Sequence, residues 1–173
     1  MLDPKNFTAH ETLKNNLQVT IRPIQPSDRE DFQKALDELD EHSIYMRFFQ
    51  ANKKFTDRDI TQAIEVDFDK VVALVTSIAE EGGEKIIGGG RYMAFDENKA
   101  EVAFMARNGY HGLGIAGRML KHLAVIAKAR GIVEFHAEVL SANTGMLTVF
   151  KHSGFPIKLA YESDVTHVIL AIG

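Results

Sequence analysis

The residues best suited to chemistry lie in a glycine-rich segment, His111-Gly112-Leu113-Gly114-Ile115-Ala116-Gly117. An apolar, strand-like run from Ala100 to Arg107 precedes this segment, and apolar residues at helical spacing follow it. The three glycines leave backbone N–H groups uncovered by side chains at the positive end of a helix dipole. This arrangement favours the binding of a phosphate or pyrophosphate. The alternative is a glycine-rich turn that binds no ligand.

The hydrophobic pattern predicts the strands and helices that must position this loop. Predicted strands cover 17–24, 71–75, 85–95, 100–107, 132–140, 157–161 and 165–169. Predicted helices begin near Ser27, Ser43, Thr56, Ile115 and Ser141-Ala142-Asn143. Ser27 with Glu30 has the spacing of a capping box, and Thr56-Asp57-Arg58-Asp59 is a further helix start. Gly88-Gly89-Gly90 indicates a bulge or a close backbone approach within a strand.

Composition limits the classes of protein that fit this chain. Its 173 residues suit a single domain, 1–173, in which the polar segment 1–16 forms an arm or a short edge strand. A net charge of −4 argues against a general nucleic-acid surface, and the absence of cysteine excludes disulfides and thiol chemistry. The seven histidines are scattered, so we expect no metal site. Without a signal-peptide pattern or an apolar membrane span, we expect a cytoplasmic protein with no membrane partner.

The glycines also match a dinucleotide-binding motif. Gly112-x-Gly114-x-x-Gly117 has the glycine spacing of that motif, and Glu138 follows about 20 residues later, where a ribose-binding acid belongs. Several predicted strands and helices precede the loop, however, whereas a Rossmann unit normally opens its domain. The connection from Arg107 to His111 is also longer than the tight Rossmann turn. Dinucleotide binding therefore remains an alternative with weaker support.

A second interpretation rests on resemblance to a family. A strand, His111-x-x-Gly114-x-Ala116 and a helix resemble the acyl-CoA pyrophosphate loop of the GNAT N-acyltransferases, usually Gln/Arg-x-x-Gly-x-Gly/Ala. The segments Ile21-Arg22-Pro23-Ile24 and Asn143 to Phe155 resemble the opening and closing parts of that superfamily. Stretches 43–49, 61–70 and 137–143 resemble the GNAT domain of bacterial protein lysine acetyltransferases of the Pat type. The resemblance implies an α/β (α+β) fold whose mixed central sheet of about six or seven strands is flanked by about four helices.

The resemblance also implies where acetyl-CoA would bind. Backbone amides of Gly112 to Gly117 would hold the pyrophosphate, helped by Arg118 and Lys121, and the preceding strand would splay from its neighbour to pair with the pantetheine. The Met105 N–H would act as the single oxyanion donor. Asn143 would contact the pantetheine, although it also suits a helix N-cap. The implied cofactor-binding residues are Met105, Arg107, His111, Gly112, Leu113, Gly114, Ile115, Ala116, Gly117, Arg118, Asn143 and Phe150.

Glu101 is the predicted general base. It lies ten residues before His111, the spacing at which Pat-like and histone-acetylating members place their base glutamate. A lysine ammonium has a pKa near 10.4, so a carboxylate must take a proton before the amine attacks the thioester. A surface glutamate at a strand end is the alternative for Glu101. Glu138 is the second candidate for the base.

Two positions depart from the superfamily pattern. His111 replaces the usual Gln or Arg, and this leaves the backbone cradle intact. Phe150 stands where many members carry a tyrosine that protonates the leaving thiolate, a tyrosine that Pat-like sequences also commonly lack. The aromatic cluster of Tyr45, Phe48 and Phe49 with Arg47 either lines the acceptor channel or packs in the core.

The sequence thus predicts transfer of an acetyl group from acetyl-CoA to a primary amine, with a protein lysine as the leading acceptor. Transfer to a small-molecule amine is the nearest alternative. A non-catalytic acetyl-CoA-binding module is a further alternative, because His111 and Phe150 depart from the pattern. Neither a metal nor a nucleic acid is expected to take part.

Overall fold

A computed structural model of the chain describes residues 3–50 and 53–173. These residues form a single eight-stranded mixed sheet and five α-helices. The strands are β1 (Ala9–Thr12), β2 (Gln18–Pro23), β3 (Val71–Glu80), β4 (Gly83–Asp96), β5 (Lys99–Ala106), β6 (Glu134–Leu140), β7 (Ile157–Glu162) and β8 (Val165–Ala171). The helices are α1 (Arg29–Asp37), α2 (Glu41–Phe48), α3 (Asp57–Ile64), α4 (Ile115–Ala129) and α5 (Thr144–Lys151). Within the described residues no helix combines the length and apolar character that crossing a membrane requires.

The sheet order is β1-β2-β3-β4-β5-β6-β8-β7. Neighbours from β1 to β5 are antiparallel, β5 and β6 are parallel, and β6, β8 and β7 are again antiparallel. The seven predicted strands are all present, and the mixed α/β fold is confirmed. Segment 1–16 supplies the eighth strand, β1, at the sheet edge, so the described residues hold one strand more than the hydrophobic pattern predicts. The five α-helices match the five predicted helix starts and exceed by one the count of about four that the resemblance implies.

Two hydrophobic layers cover the two faces of the sheet. On one face, α4 presents residues such as Met119, Leu123 and Ile126, all with no measurable exposure, to β-strand residues that include Phe135. On the other face, α1, α2 and α3 pack against the sheet through residues such as Ile60. The three-and-four spacing along α4 buries one continuous stripe, which fixes the orientation of the helix and of the glycine loop at its start.

The glycines of β4 allow the close approach that the sequence predicts. A Cβ at Gly88 would lie 2.6 Å from the Ile115 side chain, and one at Gly90 would lie 2.8 Å from Phe104. A register shift between β3 and β4 falls beside these glycines, at Thr76/Ser77. The absence of side chains therefore lets α4 pack directly on the sheet.

The helix start predicted at Thr56 is confirmed, and the structure adds a capping box there. Thr56 accepts a hydrogen bond from the Asp59 N–H (3.1 Å), and the Asp59 carboxylate accepts one from the Thr56 N–H (3.0 Å). The prediction that Ser27 begins α1 is wrong. The residues from Pro26 to Asp28 form a 3-10 turn because Pro26 suits a first helical position, and Asp28 Oδ2 accepts from the Gln25 N–H (2.8 Å) instead.

Candidate functional site

The site is built where β5 and β6 separate. The two parallel strands pair only at Lys99↔Glu134, Ala100↔Phe135 and Glu101↔His136, and beyond these pairs they diverge. The separation opens a cleft of about 1260 Å³ between β5, β6, α2, α5 and the start of α4. The splay that the resemblance implies is therefore present, and it leaves one edge of β5 free to pair with an extended ligand.

The glycine loop closes one end of this cleft. Gly112 and Gly114 have φ values of 77° and 91°, and Gly114 is the N-cap of α4 without a side-chain cap. A Cβ at Gly114 would collide with the Arg118 guanidinium. Among the described residues, no acceptor takes a hydrogen bond from the backbone N–H groups of 112–117. These amides at a helix N-terminus have the geometry that a pyrophosphate requires.

Most of the residues predicted from the sequence line this cleft. They are Glu101, Met105, His111, Gly112, Gly114, Ile115, Ala116, Gly117, Arg118, Asn143 and Phe150. Leu113 lies beside the cleft and accepts a hydrogen bond from the Lys14 N–H (3.3 Å). Asn143 also caps α5, because its Oδ1 accepts from the Met146 N–H (3.2 Å). Phe150 is buried against Phe104, with ring centroids 6.1 Å apart.

The backbone geometry corrects the oxyanion donor. The Arg107 N–H donates to the Ile87 carbonyl of β4 at 2.8 Å. Because successive backbone groups of a strand point to opposite sides, the Met105 N–H also points toward β4, where Met105 pairs with Gly89. The N–H groups of Phe104 and Ala106 point toward the cleft instead. The prediction of Met105 as the donor is wrong by one residue along the strand.

The side chain of Arg107 also differs from its predicted role. It is buried, and its guanidinium binds Glu38 (Nε–Oε2 2.5 Å) and Asp31 (Nη1–Oδ1 2.9 Å) of the α1 region. It further donates to the Ile86 carbonyl at 3.0 Å. These bonds tie α1 to the end of β5 and direct the charge away from the cleft. The Arg107 side chain therefore anchors α1 to β5 and is not part of the cleft lining, and a cofactor contact of Arg107 stays a prediction.

Replacing Arg107 with leucine is expected to destabilise the protein by about 2–4 kcal/mol. The change removes four hydrogen bonds from a buried guanidinium and leaves the carboxylates of Asp31 and Glu38 without their partner. Urea denaturation at pH 7 measures this loss. An equal loss with exposed, unpaired Arg58→Leu would contradict the assignment of Arg107 as a structural anchor.

The same ion pair predicts a dependence of stability on acid. The hydrogen bond from Arg107 lowers the pKa of Glu38 below its ordinary value of 4.5. A depressed folded-state pKa contributes stability that is present above the unfolded pKa and lost as the pH falls through the folded value. The difference in unfolding free energy between the wild type and Arg107→Leu should therefore shrink below pH 4.5. Denaturation at a series of pH values from 7 to 3 checks this, and a constant difference would contradict it.

Sequence reasoning missed the contribution of β1 to the loop. The Arg118 guanidinium pairs with Glu11 (Nε–Oε2 3.1 Å) and donates to the Thr12 carbonyl (2.8 Å). Its charge is thus partly balanced by an acid of the edge strand. The exposed Lys14 and Lys121 also line the cleft and form no ion pair with any residue of 3–50 or 53–173. They are the cations most available to a phosphate.

Glu101 occupies the last paired position before the strands diverge. Its exposed side chain forms no ion pair with another described residue. Two guanidiniums, Arg47 of α2 and Arg91 of β4, lie near enough for the Glu101 carboxylate to raise their pKa values. Burial opposes this and dominates, so that the pKa of Arg47 falls to about 10 and that of Arg91 is also lowered. Glu101 is therefore a carboxylate open to the cleft with cations beside it.

Glu138, the second candidate for the base, is held in a hydrogen-bonded chain. Its Oε1 contacts His167 Nδ1 (2.7 Å), His167 Nε2 contacts His136 Nδ1 (3.0 Å), and His136 Nε2 contacts Glu134 (2.9 Å). Pairing of β6 with β8 brings these histidines together, which sequence spacing alone does not reveal. Within the described ranges no group of three or more His, Asp or Glu side chains is placed to bind a metal.

The aromatic residues of α2 divide between the cleft and the core. Phe48 packs edge-on against Phe55, with centroids 5.1 Å apart, while Phe48 and Phe49 both line the cleft. Phe49 ends α2 in a left-handed conformation (φ 62°). Tyr45 and Phe49 are each 38% exposed. The prediction of an acceptor-channel role therefore has geometric support for Phe48, Phe49 and Arg47, which line the cleft.

A sheet that splays beside a glycine loop at a helix N-terminus is the arrangement that the resemblance implies for an acyl-CoA-dependent transferase. The family model described as "Acetyltransferase (GNAT) domain" matches residues 18–156. The chain belongs to the GNAT acetyltransferase family, whose co-substrate is acetyl-CoA. This membership, together with a loop that follows the fifth strand of the sheet, disfavours the dinucleotide-binding alternative.

Several named proteins resemble this chain. It is 27% identical over 160 residues to acetyltransferase PA5475 of Pseudomonas aeruginosa, covering 92% of this chain and 86% of that protein. It is 31% identical over 137 residues to acetyltransferase Pat of Mycolicibacterium smegmatis, covering 78% of this chain but only 40% of Pat. The crystal structure of the GNAT domain of S. lividans PAT superposes with a TM-score of 0.85 at 30% identity, covering 95% of this chain and 96% of that domain.

Proposed function

We propose that this protein transfers the acetyl group of acetyl-CoA to a lysine side chain of a protein, with Glu101 as the general base. The observation that carries the proposal is the position of Glu101, whose free carboxylate lies in the cleft at the point where β5 and β6 diverge. The resemblance of segments 43–49, 61–70 and 137–143 to Pat-type protein lysine acetyltransferases supports the choice of acceptor, and the similarity to the GNAT domain of S. lividans PAT agrees with that resemblance. The exposed Tyr45 and Phe49 of α2 offer a surface suited to a macromolecular acceptor.

We assign one group of the cleft to each step of the reaction. The amides of 112–117 bind the pyrophosphate, and the free edge of β5 pairs with the pantetheine. The Phe104 N–H, which points into the cleft nearest Glu101, polarises the thioester carbonyl. Glu101 takes a proton from the lysine ammonium, the amine attacks the carbonyl carbon, and the C–S bond breaks to release the CoA thiolate, while the second proton of the attacking nitrogen passes to water. Phe150 cannot protonate that thiolate, so the thiolate leaves unassisted.

Acceptor assays distinguish the proposal from its alternatives. Purified protein is incubated with acetyl-CoA and lysine-containing peptides, and in parallel with polyamines and free amino acids. Released thiol and the mass of each acceptor are measured. We expect acetylated lysine in the peptides. Acetylation of small amines alone would establish the small-molecule alternative, and saturable acetyl-CoA binding without transfer to any of these acceptors would support the non-catalytic module.

A further inference from the structure

A second pocket adjoins the cleft, and Arg47, Phe48 and Ala103 line both of them. The second pocket has a volume of about 280 Å³ and lies between the face of β3–β5 and the helices α1 and α3. Its walls are largely apolar and include Phe32, Leu36 and Phe55. The cleft and the pocket share Phe104 and Met105, which are the residues beside the proposed thioester position. The pocket therefore begins beside the carbonyl end of the proposed thioester position.

Gly89 keeps the pocket open beside Met105. It pairs with Met105 across β4 and β5, and a Cβ at this position would meet only the Leu74 carbonyl, at 3.9 Å. The neighbouring Gly88 and Gly90 differ, because a Cβ there would collide with α4 or Phe104. Packing therefore explains the glycines at 88 and 90 but not the one at 89. A missing side chain at 89 leaves room for more than an acetyl group.

The polar end of this pocket carries two guanidiniums that form no ion pair within the described residues, although Arg47 lies over the Phe48 ring, 4.7 Å from its centroid. Arg47 and Arg91 both line it, and neither forms an ion pair or a side-chain hydrogen bond with a described residue. In the described part of the chain, Arg22, Arg29, Arg107, Arg118 and Arg130 each pair with a carboxylate. Burial is the largest cause that lowers the pKa values of Arg47 and Arg91. Desolvated cations are costly unless an anion compensates them.

The other charged residues that line the pocket do not neutralise the two guanidiniums. Lys53 also lines the pocket, with its Nζ 5.8 Å from the ring centres of Phe48 and Phe55. Asp59 is the only acid among the described lining residues, and its carboxylate is held in the cap of α3 by the Thr56 N–H. Glu101 faces the same guanidiniums from the cleft. An anionic ligand group that ends between Arg47 and Arg91 would complete the balance.

We infer that this pocket binds the terminal carboxylate of a dicarboxylic acyl group carried by CoA, such as a succinyl group. This assignment rests on the proposed acyl-CoA site and extends its donor range beyond acetyl. Arg91 lines the pocket but not the open cleft, which favours a carboxylate on the acyl chain over one on the acceptor. The chemistry is unchanged: the new amide N–C bond forms, the thioester C–S bond breaks, and Glu101 takes the proton of the amine.

Calorimetric titration with acetyl-, butyryl- and succinyl-CoA tests this assignment without an acceptor. Butyryl-CoA is the matched ligand, since its acyl chain has similar length but no carboxylate. We expect succinyl-CoA to bind at least about tenfold more tightly than butyryl-CoA, in keeping with a charge-assisted bond. Arg91→Gln should bring that ratio close to one, whereas the exposed Arg58→Gln should leave it unchanged. Gly89→Val should weaken both longer esters relative to acetyl-CoA.

The outcomes separate this inference from the proposed function. Equal affinity for succinyl- and butyryl-CoA in the wild type would overturn it, as would a ratio that survives Arg91→Gln. A third result would also overturn it. If Arg91→Gln left the ratio of succinyl-CoA to butyryl-CoA affinity unchanged, and the wild type transferred faster to acceptors that carry a carboxylate, the anion would belong to the acceptor. Failure of the acyl-CoA site itself would appear differently, as no binding of any of the three esters.

Discussion

Replacing Glu101 with glutamine is expected to lower the acetyl-transfer rate at pH 7.5 by about 10²–10³-fold, with little change in the affinity for acetyl-CoA. General-base catalysis contributes an effect of this size, and the amide keeps the shape of the side chain while losing its ability to accept a proton. Glu101 is exposed and forms no ion pair with the described residues, so the fold should not depend on its charge. Initial rates of thiol release at saturating acetyl-CoA measure the effect.

The pH profile of this variant provides a second readout. Without a base, transfer depends on the small deprotonated fraction of the acceptor lysine, whose pKa is near 10.4. The rate of Glu101→Gln should therefore rise about tenfold per pH unit between pH 7 and 9, more steeply than that of the wild type. Glu97→Gln, in the exposed turn between β4 and β5, is the matched control. Full turnover of Glu101→Gln at neutral pH would remove Glu101 from its assigned role.

Replacing Gly114 with alanine is expected to weaken acetyl-CoA binding by at least about 30-fold. Gly114 caps α4 at φ 91°, where alanine is strained, and a Cβ there would displace the Arg118 guanidinium. Either adjustment moves the amides at the helix N-terminus, whose direction sets the strength of pyrophosphate binding. Calorimetric titration with acetyl-CoA measures the change.

Gly131→Ala separates this effect from the general cost of a strained backbone. Gly131 follows α4 at φ 88°, far along the chain from the loop, and a Cβ there would meet no atom within 4 Å. Both variants should lose about 1 kcal/mol of stability from the left-handed conformation. Only Gly114→Ala should lose affinity for acetyl-CoA. Equal affinity of the two variants would show that the loop does not hold the cofactor.

Local sequence patterns predicted most of the fold and the placement of the loop. The informative patterns are local, because each of them spans only a few consecutive residues and can be read directly from the sequence. They are the apolar run before His111, the helical spacing after Gly117 and the turn residues between strands. The register of β5 against β6 follows from the same strands once they are paired. The cleft therefore contains most of the residues predicted for it, including Glu101 and Asn143.

The errors arose where long-range packing decides the outcome. Arg107 forms ion pairs with Asp31 and Glu38, which lie about 70 residues earlier in the α1 region. No local sequence pattern indicates partners so distant in the chain. Backbone N–H groups along β5 point alternately toward β4 and toward the cleft. The pairing of β4 with β5 therefore decides whether Met105 or Phe104 directs its N–H to the cleft. Glu11 reaches Arg118 only because the polar N-terminal segment adds a strand to the sheet edge.

Calorimetric titration of the purified protein with acetyl-CoA, and with NAD in parallel, tests the central assignment most directly. Saturable binding of one acetyl-CoA per chain, with no binding of NAD, is the result expected from a splayed sheet beside a pyrophosphate loop. Absence of acetyl-CoA binding, or binding of NAD in its place, would contradict the cofactor site from which every step of the proposed transfer follows.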